Sequence, residues 1–315
     1  MRIVFMGTPD FAASHLEGLI KNNFNVVGVF SQPDKPKGRG KKLQPTPVKK
    51  VAEKYNIPIF QPKSVNKGKG FEALKSLKPD IIITVAFGKI LKSNVIELPE
   101  YGCWNVHASL LPKYRGAAPI QRAIENGETK TGITIFKIVE ALDAGPIALM
   151  REIPILLEDN LESVYEKLEK LGIDALIDFL NNFENYTQNL TPQNDAEATY
   201  AHKITNEDTY INWYENNMIV FNKIRAYDPI PGAKTLFNDE IIKLFNVLPH
   251  NNNKNDLPGK ILNIDKNGAE IATGSGTIYV KKIQFPGKKP INFYDAYNGR
   301  KINIGDTLKN ITKGE

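Results

Sequence analysis

Asn105 and His107 stand two residues apart in a chain of 315 that holds only four histidines. On a strand that spacing puts both side chains on one face. They open a dense polar run, Asn105-Val106-His107-Ala108-Ser109-Leu110-Leu111-Pro112-Lys113-Tyr114-Arg115-Gly116, and an acid follows in Leu142-Asp143-Ala144-Gly145. A donating carboxamide, a titratable imidazole and a carboxylate could together hold the tetrahedral intermediate of an acyl transfer. In this reading Asn105 and His107 donate to the oxyanion, while Asp143 fixes the ring tautomer and favours its protonated form. The attacking amine must be neutral. Unperturbed α-amines titrate near pH 7.7–8.0, at roughly the working pH, so Asp143 need only receive a proton, through water, after attack. No covalent intermediate is required. Ser109 leads straight into Leu-Leu-Pro and Cys103 lies in an apolar run, so neither is expected to be a nucleophile. The other histidines, His15, His202 and His250, lack comparable neighbours in the chain.

The elements that must position these groups alternate between buried strands and helices. Ile3–Met6 is a short apolar run, after which Thr8 reads as a helix N-cap with Pro9 at the first helical position and Asp10 in the first turn. Phe11, Leu16, Leu19 and Ile20 then fall on one helical face. Strands follow at 26–30, at 57–60 and, most clearly, at 80–86. A helix is expected over about 89–96, then a strand over 103–107 that ends in the candidate site. The pattern predicts a Rossmann-like, doubly wound, mostly parallel sheet, in which ligands bind beyond the carboxyl ends of the strands. The turn Gly7-Thr8-Pro9-Asp10 lacks G-x-G-x-x-G, so nothing calls for a dinucleotide. Residues 132–139 alternate like a strand with one wetter face, Asp143 falls in a turn before a strand at 146–150, and Leu161, Val164, Leu168, Leu171, Ala175 and Phe179 mark a long amphipathic helix. From 182 to 195 the composition is that of a linker. Beyond it, a helical patch at 213–227 precedes short strands punctuated by Pro231-Gly232, Pro258-Gly259, Lys266-Asn267-Gly268 and Gly274-Ser275-Gly276, which suggests a small antiparallel barrel. Residues 251–255 read as an exposed loop. The expected division is a catalytic domain at 1–188, a linker at 189–206 and a barrel domain at 207–315.

A hydrophobic content of 41% and a charged content of 24% suit a globular protein in water. No run approaches the roughly 20 apolar residues needed to cross a bilayer, and Met1 leads directly into the first strand, so no leader and a cytoplasmic location are expected. With Cys103 alone, an internal disulfide is impossible and a cysteine metal cluster is not expected; no metal is assigned. Charge is the uneven property. Between Asp34 and Lys50 seven basic residues face one acid, an excess equal to the +6 of the whole chain. Gly38 and Gly40 flank Arg39, with Pro33, Pro36, Pro45 and Pro47 nearby, so no regular helix or strand is expected there. A cationic loop of this kind suits a phosphate backbone better than a small neutral substrate.

These residues resemble the folate-dependent formyltransferases, whose signature couples Asn-x-His, Ser-Leu-Leu-Pro and a downstream Asp. The likeness extends to Gly7-Thr8-Pro9-Asp10-Phe11, to Gln32-Pro33-Asp34-Lys35-Pro36 with Gly38-Arg39-Gly40-Lys41-Lys42, to the run from His107 to Arg122, and into a C-terminal domain of the expected size. The resemblance implies a Rossmann-like domain with an OB-like barrel. It implies formyl transfer from 10-formyltetrahydrofolate to the amino group of methionyl initiator tRNA. Asn105, His107 and Asp143 match the family's catalytic trio. Ser109, Leu110, Leu111 and Pro112 match its folate-binding stretch, and Ala86, Phe87, Gly88, Ile90 and Leu91 resemble the loop that lines the pterin pocket through backbone groups. Arg39, with Lys41 and Lys42 beside it, matches the loop that engages the acceptor end of tRNA. One departure is Pro146, which follows Gly145 where the family often carries an acid, and which removes a backbone donor from the Asp143 loop.

A formyltransferase acting on a nucleotide sugar would share the site chemistry, though a small acceptor has no need of a cationic arm. A folate-dependent hydrolase would use water as acceptor, and the site residues do not separate it. A nonenzymatic RNA-binding protein would leave Asn105, His107 and Asp143 without a purpose. The absence of a sustained heptad makes a monomer the default expectation.

Overall fold

The computed structural model describes residues 1–37, 42–250 and 256–312. They divide into two compact units, one of Met1–Ala117, Gly132–Ile153 and Lys167–Ala201, the other of Ala118–Thr131, Pro154–Glu166 and His202–Glu315. Apolar runs make the strands of the first: β1 (Ile3–Gly7), α1 (Asp10–Lys21) and β2 (Val26–Phe30) are followed by the short β3 (Lys35–Lys37) and β4 (Lys42–Gln44), α2 (Pro47–Lys54), β5 (Ile59–Phe60), α3 (Gly68–Ser76) and β6 (Ile81–Val85). Then come α4 (Ser93–Ile96), β7 (Cys103–His107), β8 (Arg115–Gly116), α5 (Pro119–Glu125, which belongs to the second unit), β9 (Lys130–Lys137), β10 (Ile147–Pro154), α6 (Leu161–Asn181), α7 (Phe183–Gln188) and β11 (Tyr200–Ala201).

Seven strands form one sheet in the order β10-β9-β7-β6-β1-β2-β5. The five from β7 to β5 run parallel, and β9 runs antiparallel to β7. β6 is central and buried at every position. The expected mostly parallel, doubly wound sheet is the observed one. Both faces of β9 are covered from Thr131 to Phe136, so the wetter face expected there is absent. One core packs Val4, Met6, Phe30, Ile82 and Cys103 with Phe87 and Leu91 from the connection after β6.

Four local expectations change. Thr8 does not cap α1; Pro9 holds that position, and the Thr8 hydroxyl instead donates to Phe87 O at 3.1 Å. The helix expected over 89–96 shrinks to α4, because Ala86 and Gly88 take left-handed backbone and the half-buried Lys89 side chain is drawn to Pro62 O and Lys63 O at 2.7 and 2.6 Å. The basic segment does contain strand: β3 and β4 pair antiparallel, with Pro36 opposite Leu43. In a two-stranded ribbon each strand is an edge, so a missing N–H is tolerated. Finally, the segment of linker composition folds in part into α7, whose Phe183 packs edge-on against Trp104 at 5.8 Å. Arg39 and Lys41, and the loop expected at 251–255, lie outside the described residues; Lys42 begins β4.

In the second unit α8 (Asn217–Ala226) precedes β12 (Ala233–Phe237), β13 (Glu240–His250), β14 (Ile261–Asp265), β15 (Gly268–Ala272), β16 (Thr277–Gln284), β17 (Ile291–Asn292) and α9 (Phe293–Asn298). The sheet runs β12-β13-β16-β15-β14, with β17 on β16, and each of these pairings is antiparallel. Its outer strands are joined through the C-terminal segment: Lys309 bonds reciprocally to Leu236, and Leu308 N donates to Gly259 O at 2.9 Å. That return gives the barrel-like form expected from the spacing of turns. Trp213, Phe221, Ile242, Ile271, Val280 and Phe293 fill its core. Gly259 has φ +86, and a Cβ there would lie 2.0 Å from Leu308 O, so only glycine fits where the segment returns.

Candidate active site

β7 carries Asn105 and His107 on one face, at the carboxyl end of the parallel strands. Thr84 on β6 pairs in register with Asn105, and its hydroxyl donates to Asn105 Oδ1 at 2.7 Å. The carboxamide oxygen is thus engaged and the amide hydrogens are turned the other way, free to donate. His107 is buried, and its Nε2 lies 2.9 Å from Tyr114 O. A carbonyl only accepts, so Nε2 carries the hydrogen and the neutral ring has its lone pair at Nδ1. Nδ1 faces Asp143 Oδ2 at 3.8 Å.

This geometry corrects the expected division of labour. The tautomer of His107 is set by the Tyr114 carbonyl, not by Asp143. Nδ1, whose lone pair accepts in the neutral ring, becomes a donor only when the ring carries a second proton. At 3.8 Å the pair is too long for a hydrogen bond of its own, but an oxygen set to one side could reach both groups within hydrogen-bond distance.

One short segment holds both partners. Tyr114, at φ +62, turns its carbonyl to His107, and two residues on Gly116 N donates to Asp143 Oδ2 at 2.8 Å. β8 is itself fixed by pairing with β11, through Arg115 N to Thr199 O and Ala117 N to Ala201 O, both 2.9 Å. Asp143 sits at φ +48 in the connection between β9 and β10, where Gln193 Nε2 donates to Asp143 O at 2.8 Å and to Gly145 O at 2.7 Å. A Cβ on Gly145 would come 1.7 Å from Lys137 O, so the connection folds tightly on β9. Pro146 does not disrupt it: its carbonyl accepts from Lys137 N at 2.9 Å, and no donor at 146 is used.

The remaining candidates divide by role. The Ser109 hydroxyl is buried and donates to Lys113 O at 2.7 Å, closing the turn through Leu110, Leu111 and Pro112, whose Leu111–Pro112 bond is cis. Burial pushes the Cys103 thiol up to about 12, which removes it as a thiolate nucleophile. In the connection after β6, Phe87 and Leu91 turn into the core, Ile90 is exposed, and Thr8 and Gln32 hold the Phe87 carbonyl. Of the basic residues near the sequence's cationic loop, Lys49 is neutralised by Asp34 at 2.7 Å. The sequence reading missed Thr84, Tyr114 and Gln193 as site-building residues. His250, which lacks comparable neighbours along the chain, has Glu270 Oε1 at 3.3 Å in the second unit. Among the described residues, no group of three or more His, Cys, Asp and Glu is placed to hold a metal ion, and no helix is long and apolar enough to cross a membrane.

A doubly wound sheet presenting Asn, His and Asp beyond its strand ends agrees with comparison to known families. Residues 1–180 match formyl transferase, and residues 203–301 match the formyl transferase C-terminal domain. The chain belongs to the formyl transferase family and is a formyltransferase. Within the family its likeness is to proteins named methionyl-tRNA formyltransferase: 60% identity to that of Kosmotoga olearia over 309 residues, 98% of this chain and 99% of the relative, and 51% to that of Thermotoga maritima over 305 residues, 97% of each. Among solved structures, the sugar 3N-formyl transferase WlaRD has a TM-score of 0.68 at 21% identity, covering 92% of this chain and 99% of that one. HypX from Aquifex aeolicus, in complex with tetrahydrofolic acid, has a TM-score of 0.66 at 20% identity, covering 97% of this chain and 48% of that one. At such identities these two speak to fold alone.

Proposed function

We propose that this protein transfers the formyl group of 10-formyltetrahydrofolate to the α-amino group of methionyl initiator tRNA. The observation that carries the chemistry is the His107 ring, held at Nε2 by a carbonyl and facing the Asp143 carboxylate with Nδ1. The acceptor and donor are supported by the names of full-length relatives at 51–60% identity and by the family's chemistry. The neutral amine attacks the formyl carbon. The carbonyl oxygen gains charge, and Asn105 Nδ2 and protonated His107 Nδ1 donate to it. As the intermediate collapses, the carbon–N10 bond breaks and the new amide remains. The proton that leaves the amine passes through water to Asp143 and is returned through water to N10 as the carbon–N10 bond breaks, so the exchange is balanced.

On this reading the backbone of Ala86, Phe87, Gly88, Ile90 and Leu91, with the turn Ser109–Pro112, lines the folate site, and Arg39, Lys41 and Lys42 meet the phosphates of the tRNA acceptor end. Residues 1–188 perform the transfer, 207–315 bind RNA, and 189–206 join them. The deciding experiment incubates the protein with labelled 10-formyltetrahydrofolate and charged initiator tRNA, with nucleotide amino sugars and water alone as rival acceptors. Label should appear on the methionyl amine. Label on the sugar, or free formate alone, would replace this reading with one of its rivals. Reversing the charges at 39, 41 and 42 should weaken turnover on tRNA while folate binding is kept, and unchanged turnover would remove the loop from the acceptor site.

A further inference from the structure

Asp143 has an exposed connection to hold still. Its backbone is left-handed, a conformation that costs a non-glycine residue about 1 kcal/mol or more, and its carboxylate must stay in reach of the His107 ring. The Gly116 N–H restrains one carboxylate oxygen but not the peptide units on either side. Those are restrained by Gln193. Its Nε2 donates to both the Asp143 and Gly145 carbonyls, while its Oε1 accepts from Arg115 Nε at 3.1 Å and Nη2 at 2.8 Å. Four bonds use the whole carboxamide, and Arg115 fixes its sense. A guanidinium has only donors, so Oε1 must face it and the NH2 group must face the loop. The Arg115 side chain is 4% exposed, and its acidic partner, Asp195 at 2.8 Å, is 82% exposed. Arg115 thus binds a neutral amide inside and its counter-charge at the surface. The neighbouring Thr191 bonds reciprocally with Ile147, which anchors the segment bearing Gln193 to the far side of the same connection.

We propose that Gln193, oriented by Arg115, is a positioning residue that holds Asp143 at the His107 ring during formyl transfer. The proposal rests on Asp143 acting in the reaction. Gln193 touches no reacting atom, and its effect passes through Asp143.

The test is a double-mutant cycle on formyl transfer to charged initiator tRNA, read in single turnover. Gln193→Met keeps the length and removes all four bonds. It should lower the rate about tenfold in the wild-type background, with KM for both substrates within about twofold. In the Asp143→Asn background the same change should cost less than about twofold, because the group it positions no longer functions. A general loosening of the fold would lower both backgrounds alike. Gln193→Glu is the second variant, safer for folding: it keeps the bonds to Arg115 but sets an acceptor against the two loop carbonyls. It should slow transfer at least as much as Gln193→Met, with an unchanged far-ultraviolet circular dichroism spectrum. Equal losses in both backgrounds, or wild-type rates for either Gln193 variant, overturn the proposal. Near-normal turnover by Asp143→Asn alone overturns instead the assignment of Asp143 to the reaction, a result the cycle reads separately.

Discussion

Two buried histidines of the first unit, His15 in α1 and His107 in β7, show what separates a packed ring from a working one. Both give one nitrogen to a backbone carbonyl, His15 Nδ1 to Phe11 O at 2.6 Å and His107 Nε2 to Tyr114 O at 2.9 Å. Both sit beside phenylalanine rings. They differ at the second nitrogen. His15 Nε2 is buried with no hydrogen-bond partner, pressed against Gly172 of α6, where a Cβ would come within 2.4 Å. His107 Nδ1 faces a carboxylate across a gap. The first arrangement penalises a proton; the second sets a carboxylate opposite the ring nitrogen. Burial alone therefore says little about function, and what faces the free nitrogen says most of it.

The strongest way to break this contrast is to delete each ring. His107→Ala should lower formyl transfer about 1,000-fold or more, since both a donor to the oxyanion and the partner of Asp143 are lost. His15→Leu should leave kcat within about twofold and show its cost in the melting temperature. If His107→Ala turns over near the wild-type rate, or His15→Leu loses turnover while still folded, the contrast fails.

The second test uses pH. Burial, opposed only by the bond to Phe11 O, holds His15 down at about 4 against an ordinary 6.5. As pH falls, the unfolded chain therefore takes the proton first. The neutral ring's contribution is whole above about pH 6.5 and is lost as pH falls toward about 4, at most about 3 kcal/mol across that window. Urea unfolding of wild type and His15→Leu between pH 7.5 and 4.5 measures it. The wild type should lose stability more steeply than the variant below pH 6.5, and parallel curves would show that His15 does not titrate with unfolding.

How far the sequence revealed these differences follows from the range of each interaction. Asn105, His107 and Asp143 were legible because a scarce histidine stands two residues from a carboxamide within a distinctive motif, with an acid in a later Leu-Asp-Ala-Gly turn. The groups that aim them were not. Thr84 meets Asn105 only through the register of β6 against β7, the Tyr114 and Gly116 contacts use backbone atoms that any residue carries, and Gln193 stands 50 positions from Asp143 in a stretch of linker composition. The sheet was readable because its strands are continuous apolar runs. The shortened α4 was not, since apolar Phe87 and Leu91 serve a core as well from an irregular loop as from a helix. Pro36 misled in the opposite sense, because an edge ribbon accommodates it.

The smallest effect expected bears on the half of the site that the two histidines leave out. Asn105 can act as a donor only if its oxygen is turned from the oxyanion, and the Thr84 hydroxyl supplies that orientation at 2.7 Å from a position 5% exposed. Thr84→Val preserves shape and strand propensity but removes the hydrogen, so the carboxamide gains a second orientation with its acceptor toward the reacting carbonyl. A bond of this kind contributes about 1 kcal/mol net, and kcat should fall about five- to tenfold while KM for both substrates is kept. Thr84→Ser restores the hydroxyl without the methyl and should recover most of the rate. Recovery by serine separates orientation from packing, since the methyl group is what a packing role would require. If valine keeps the wild-type kcat, Asn105 is held by something other than its neighbour on β6. If serine is as slow as valine, Thr84 acts by filling space.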